Sequence, residues 1–242
     1  MIVSIMQPYF FPYIGYFQLI AASDVFVFHD DVQYIKNGWI NRNRILSAGV
    51  PRWLTRPVLS ASYELKINQR RYELSARNVP RLLRQVEAAY SKTQRFVEIF
   101  PLCREILGFA DANVAVFNAN LIRRVAAALH IDTQFLFSSE IEKDDRLTGQ
   151  DRVIEICREL GATRYVNPIG GAHLYDARRF ADAGLQLSFL QPVTLTSGRF
   201  VAAQAPPLSI VDTLMFNDDR AMQQLLRSFR LADATDLAYA AG

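Results

Sequence analysis

The hydrophobic pattern along the chain alternates short β-branched runs with longer stretches of helical spacing. IVSIM, residues 2–6, is an apolar run that ends at Gln7-Pro8 and predicts a buried strand. Pro8 and Pro12 forbid continuation of strand or helix, so residues 7–13 are expected as a rigid loop. After Gly15 the run Tyr16, Phe17, Leu19, Ile20 and Ala21 suits a short helix, and VFVFHD, residues 25–30, a second strand. Strand, loop, helix and strand together predict one right-handed βαβ crossover in a parallel sheet. Asn37-Gly38 signals a hairpin or a turn into a loop.

Residues 74–90 and 94–109 have helical spacing, with breaks or kinks expected at Pro80 and Pro101 and a capping box at Ser91 and Gln94. Asn113 is placed to cap a longer helix, 114–129. TQFLFSS (133–139) reads as a strand. Thr148 with Asp151 opens a helix that runs through Leu160 and stops at Gly161. RYVNP is a strand entering the loop NPIGGAHLY, Asp176 caps a helix ended by Gly184, and LQLSFL is a further strand. Ser209 caps a final helical region. The expected class is α/β, a mostly parallel sheet with flanking helices and a helical subdomain or insertion. Its parts are an N-terminal α/β unit (1–62), the helical part (63–130), a second α/β part (131–231) and a small polar tail (232–242) expected to fray.

Composition narrows the function classes. At 242 residues the chain can bury a full core without disulfides or a structural metal. Cys103 and Cys157 sit in helical patterns among apolar neighbours and read as reduced, buried thiols. MIVSIMQP has neither the basic nor the long apolar region of a secretory signal, and no run reaches the length of a membrane span, so the cytoplasm is expected. The net charge is +3, and no RNA-recognition or helix-turn-helix signature accompanies the basic clusters, which argues against a nucleic-acid partner.

Ligands of parallel α/β sheets sit at the carboxyl ends of the strands. Three segments should converge there: Gln7–Tyr13, His29–Tyr34 and Asn167–His173. The first offers the Gln7 amide and the rings of Tyr9, Phe11 and Tyr13. The second offers His29, Asp30, Asp31, Gln33 and Tyr34, and the third Asn167, the Gly170-Gly171 backbone and His173. Core packing competes for the aromatics, and turn closure for the two aspartates. Neighbouring strand residues face opposite ways, so at most one of those carboxylates is expected to serve a given site. Trp39 with Asn41, Arg42 and Arg44 suits a planar or phosphate-bearing ligand. Magnesium would fit a nucleotide substrate, although two adjacent carboxylates are a weak metal signal and no dedicated metal motif occurs.

QPYFFPYIGYF, DVFVFHDDVQYIKNGWINRNRI, WLTRPV, LGATRYVNPIGGAHLY and PPLSIVDTLMFN, in that order, resemble the WbqC-like family of bacteria from Val3 to about Asn217. The resemblance implies work in surface-polysaccharide (O-antigen) gene clusters on a nucleotide-activated, often amino, sugar or its acyl or aminoacyl donor. A fainter resemblance links the opening strand, loop and helix to HIGH-type nucleotidylyltransferases. Here Tyr13-Ile14-Gly15-Tyr16 replaces both histidines of that motif, which removes its positive charge. The expected function is a cytoplasmic acyl or aminoacyl transferase acting on a nucleotide-sugar. Arg42, Arg44 and the backbone at Gly15, Gly170 and Gly171 would meet the phosphates, and Asp30, His29, His173 or Asp31 would be the base. A nucleotidyl- or glycosyl-transferase and a non-catalytic scaffold of glycan assembly are the competing readings, and a homodimer is open.

Overall fold

The computed structural model describes residues 1–193 and 208–234. Among them a six-stranded sheet carries β1 (Ile2–Met6), β2 (Val25–Phe28), β5 (Gln134–Phe137), β6 (Arg164–Pro168), β7 (Gln186–Pro192) and β8 (Phe229–Asp233). Their order is β5-β2-β1-β6-β7-β8, parallel throughout except for β8, which runs antiparallel to β7. The mostly parallel α/β architecture expected from the pattern is therefore present. β3 (Arg42–Ser47) and β4 (Val50–Thr55) form a separate hairpin. The helices are α1 (Ile14–Ala21), α2 (Asn78–Tyr90), α3 (Phe96–Leu107), α4 (Val114–Ala128), α5 (Gly149–Glu159), α6 (Ala177–Asp182), α7 (Ile210–Phe216) and α8 (Asp219–Arg227).

The two-residue period of the strands sorts side chains onto two cores. Val3, Ile5, Val25 and Val27 join Val153, Ile156 and Cys157 of α5 and Phe180 of α6. Phe26 and Phe28 face the other way, into a core shared with α1, α4, α7 and α8. Helices α1 and α5 thus cover opposite faces. β1 leads through α1 to β2 on one side, while β6 pairs with its other edge. The winding reverses between β1 and β6, and the crevice beyond their carboxyl ends is where such a sheet takes a ligand.

Several local expectations shift. The hairpin turns at Ala48-Gly49, where φ is 50° and 77°, a pair of positive values that suits a tight two-residue connection. Asn37-Gly38, expected as a hairpin or a turn into a loop, makes the latter, with Asn37 at φ 64°. The Ser91–Gln94 capping box does not form. Ser91 closes α2, and Arg95 precedes α3 while reaching forward to Glu98 and Asp219. Thr148 precedes α5 without a side-chain cap, whereas Asn113 and Asp176 cap α4 and α6 as expected. Pro80 falls in the first turn of α2, where its missing N–H is not needed, and Pro101 lies within α3. Ala232 and Asp233 belong to β8 rather than to a frayed tail, because Asp233 accepts from Ser188 Oγ and Gln186 Nε2. Residues 235–242 lie outside the described ones. Cys103 and Cys157 are buried and free.

Candidate functional site

A cavity of about 660 Å³ opens at the switch between β1 and β6. Met6 and Gln7 come to it from the end of β1, His29 from the end of β2, Asn167 and Pro168 from β6, and Leu190 and Pro192 from β7. Tyr9, Pro12 and Tyr13 of the proline-stiffened loop form one wall, with Trp39 and Asn43 beside them. The 3-10 turn Ile169–Leu174 closes the opposite side through Gly170 and Gly171.

Two asparagines hold the walls. Asn43 Nδ2 donates to the carbonyl of Phe11 at 2.8 Å, which fixes the loop against the hairpin. Asn118 of α4 is fully buried and donates to the carbonyls of Pro8 and Ile40 at 2.8 and 2.7 Å, while its own oxygen accepts from the Tyr72 hydroxyl. One side chain therefore ties the aromatic loop to the segment that carries Trp39. Phe10 N donating to the Trp39 carbonyl completes the clasp. The Asn167 amide packs directly over Gly171, where a Cβ would stand 2.3 Å from its Nδ2 and force the amide to shift. At Gly15 a Cβ would meet the Tyr13 ring at 2.4 Å.

The lining is aromatic and amide-rich. Burial pushes the Tyr9 phenol up to about 12, with Tyr13 adding to the effect, and burial raises Tyr13 as well, so both remain neutral donors. Among the described residues neither hydroxyl has a hydrogen-bond partner, nor does the Gln7 amide. His29 has a buried, unpartnered Nε2. Its pKa is lowered to about 4, mainly by burial, which Asp31 opposes and Arg152 and Lys143 reinforce. The ring is therefore neutral near pH 7.

The WbqC-like protein family matches residues 7–224. The chain belongs to this family. An uncharacterized protein of Mycobacterium tuberculosis is 30% identical over 189 residues, covering 77% of this chain and 80% of that protein. No solved structure gives a significant match. In this WbqC-like protein the matched span contains both walls of the cavity, the QPYFFPY loop and the NPIGG turn.

Beside the cavity the WbqC-like hairpin carries a cation–aromatic array. Arg42 lies 4.2 Å from the Trp53 ring centre, and Arg44 lies 5.2 Å from Trp39 and 5.5 Å from Trp53. Among the described residues neither arginine has a carboxylate within ion-pair distance. Arg42 donates instead to the carbonyls of Gly38 and Asn37. Arg44 flanks the cavity across the Trp39 ring.

Of the candidates named from the sequence, Gln7, Tyr9, Tyr13, Gly15, His29, Trp39, Asn167, Gly170 and Gly171 come together on the lining of this one cavity, with Arg42 and Arg44 alongside. The remaining candidates stand elsewhere. Phe11 is buried in the core at φ 42°. Asp30 does not line the cavity; it accepts from Ser139 N and Oγ and from Asn68 Nδ2, binding the end of β2 to the segments that follow β5 and precede α2. Asp31 is engaged by Lys143 and Arg152. Gln33 donates to the Tyr63 carbonyl, Asn41 to that of Arg56, and Tyr34 stacks under Arg70. His173 is exposed on the 3-10 turn. Asn43, Asn118 and Tyr175 were not singled out. Asn43 sits inside the NRNR motif, where strand alternation sends it inward between two outward arginines, and that alternation was the available signal. No group of three or more His, Cys, Asp or Glu gathers among the described residues, and no helix there is long and apolar enough to cross a membrane.

Proposed function

We propose that this protein is a transferase for a nucleotide-activated amino sugar and moves an acyl or aminoacyl group onto the sugar amine. The observation that carries the reading is the pairing of an aromatic, amide-lined cavity with an adjoining arginine–tryptophan face. Aromatic rings pack on sugar and base faces, and the unpartnered Gln7, Tyr9 and Tyr13 groups hydrogen-bond hydroxyls. Arg42 and Arg44, unclaimed by carboxylates, meet the diphosphate. His29 presents a neutral ring nitrogen to the amine as the new bond forms. Asp30 and Asp31, held in structural networks, leave His29 as the base of the original four candidates that faces the cavity. A cytoplasmic place in bacterial surface-polysaccharide assembly is part of the proposal and rests on family kinship.

Thermal shift and calorimetry against nucleotide-sugars, acyl-coenzyme A and nucleoside triphosphates test it. A ligand at a hundredfold excess over its Kd stabilises by about 2.7 kcal/mol. Nucleotide-sugars should raise Tm, and Arg44→Gln should weaken them about 10–100-fold, the range of a lost charge-assisted hydrogen bond. Pyrophosphate release from a triphosphate would move the assignment to nucleotidyl transfer. A flat response to every ligand would favour the scaffold reading.

A further inference from the structure

The proposed substrate carries an amine, yet the described residues of the cavity that receives it include no charged side chain. Among the described residues no Asp, Glu, Lys or Arg lines it. Its titratable wall groups are Tyr9, Tyr13 and Tyr175, whose phenols burial keeps protonated, and His29, which burial keeps neutral.

Charged groups of both signs stand behind the wall. On the β2 side Lys143 and Arg152 engage Asp31, and exposed Asp145 lies 3.6 Å from Arg152. Asp30 beside it has both oxygens occupied by Ser139 and Asn68. On the hairpin side stand Arg42 and Arg44, with exposed Lys36 next to the lining residue Ile35. An ammonium entering this space would give up hydration and find no anion, and both effects favour the uncharged amine.

Resting on the amino-sugar reading above, we infer that the cavity binds the sugar as its free base, so that the ammonium loses a proton to solvent as it enters. The N–H bond breaks with its electron pair left on nitrogen, the proton goes to bulk buffer, and that pair is the nucleophile for acyl transfer. The protein then prepares its nucleophile by desolvation against a wall whose described residues offer no carboxylate, and no dedicated base is needed for this first proton.

Calorimetry in buffers of different ionisation enthalpy reads this directly, using uridine- and thymidine-diphosphate amino sugars and their N-acetyl counterparts. One pH unit below the amine's own pKa, about 0.9 proton per ligand should be released, and none for the N-acetyl forms. Amino-sugar affinity should rise about tenfold per pH unit up to that pKa and then level off. Gln7→Glu, which sets a carboxylate on the wall, should drive the release toward zero. Binding without proton release, tightening as pH falls, or capture of the N-acetyl sugars alone at every pH would overturn the inference and leave the nucleotide-sugar reading standing. Failure of both ligand sets to bind would overturn the two together.

Discussion

Replacing Asp31 by asparagine removes the buried carboxylate shared by two buried cations and leaves Arg152 only exposed Asp145, 3.6 Å away. Asp31 and Arg152 are each 6% exposed at the side chain and Lys143 only 2%, with Lys143 Nζ 3.0 Å from Asp31 Oδ2. At an effective dielectric of about 20, that one contact corresponds to about 5–6 kcal/mol of Coulomb attraction, most of which offsets desolvation. The variant keeps the desolvation and loses the attraction, so a cost of about 3–5 kcal/mol is expected. The unfolding entropy of a chain this size is about 0.5 kcal/mol per kelvin, which converts the cost into a Tm roughly 6–10 °C lower. Urea unfolding should show the same loss as a lower midpoint with unchanged slope. The pH dependence adds a second reading. Burial pushes the Asp31 carboxyl up, but Lys143 and Arg152 outweigh it and hold its pKa below the usual range. Its contribution is then complete above about pH 4 and lost as pH falls through the lower folded value, because the unfolded chain binds the proton first. Asp31→Asn should therefore flatten the acid limb of the stability curve. Adding Lys143→Met to that variant should recover part of the loss. A single variant within about 1 kcal/mol of wild type, less than the smallest cost of an unpaired buried charge, would refute the argument.

The His29 imidazole should titrate by NMR with a midpoint near 4, and the N-acetyl nucleotide-sugars should keep their affinity down to about that pH; a midpoint of 6–7 would mean the ring is hydrated. Because the unfolded ring titrates higher, His29 also contributes a loss of stability as pH falls between the two values, opposite to what a paired histidine would give. Asn118→Ala should cost about 1–3 kcal/mol, since it strands the Pro8 carbonyl and leaves the Ile40 carbonyl and the Tyr72 hydroxyl only their bond to each other, and should weaken ligand binding as the cavity walls separate. Gly171→Ala should leave the melting temperature within a few degrees yet impair binding, because the new Cβ displaces the Asn167 amide from the wall; unchanged affinity would remove that amide from the site.

The sheet was legible because its strands are short, β-branched and bounded by proline, glycine or capping residues, as at IVSIM-Gln7-Pro8 and RYVNP. The carboxyl-end rule then gathered Gln7, His29 and Asn167 without any contact information. Two kinds of feature escaped. Asp30 and Asp31 looked alike on the page, and their partners Ser139, Lys143 and Arg152 lie more than a hundred residues downstream, beyond any local pattern. Arg56 in WLTRPV resembles the other surface arginines but is buried, 3.8 Å from the Phe117 ring centre and 4.7 Å from that of Tyr72. Its direction is set by tertiary packing, which no periodicity encodes. Asn118 escaped for the same reason, as a polar residue on an otherwise apolar helix face whose acceptors come from distant loops.

Helix α4 meets the aromatic loop and the tryptophan segment through the same amide, so the two rims share a mount rather than facing each other as independent jaws. A small slide of that helix would carry both in one direction, keeping the mouth's width while changing its height above the strand ends. Helix α3, which packs on α4, contributes no residue to the cavity lining. Substitutions in its contact face that tilt α4 should then alter which sugar fits, making remote packing a dial for selectivity that an evolving lineage can turn without touching a single lining residue.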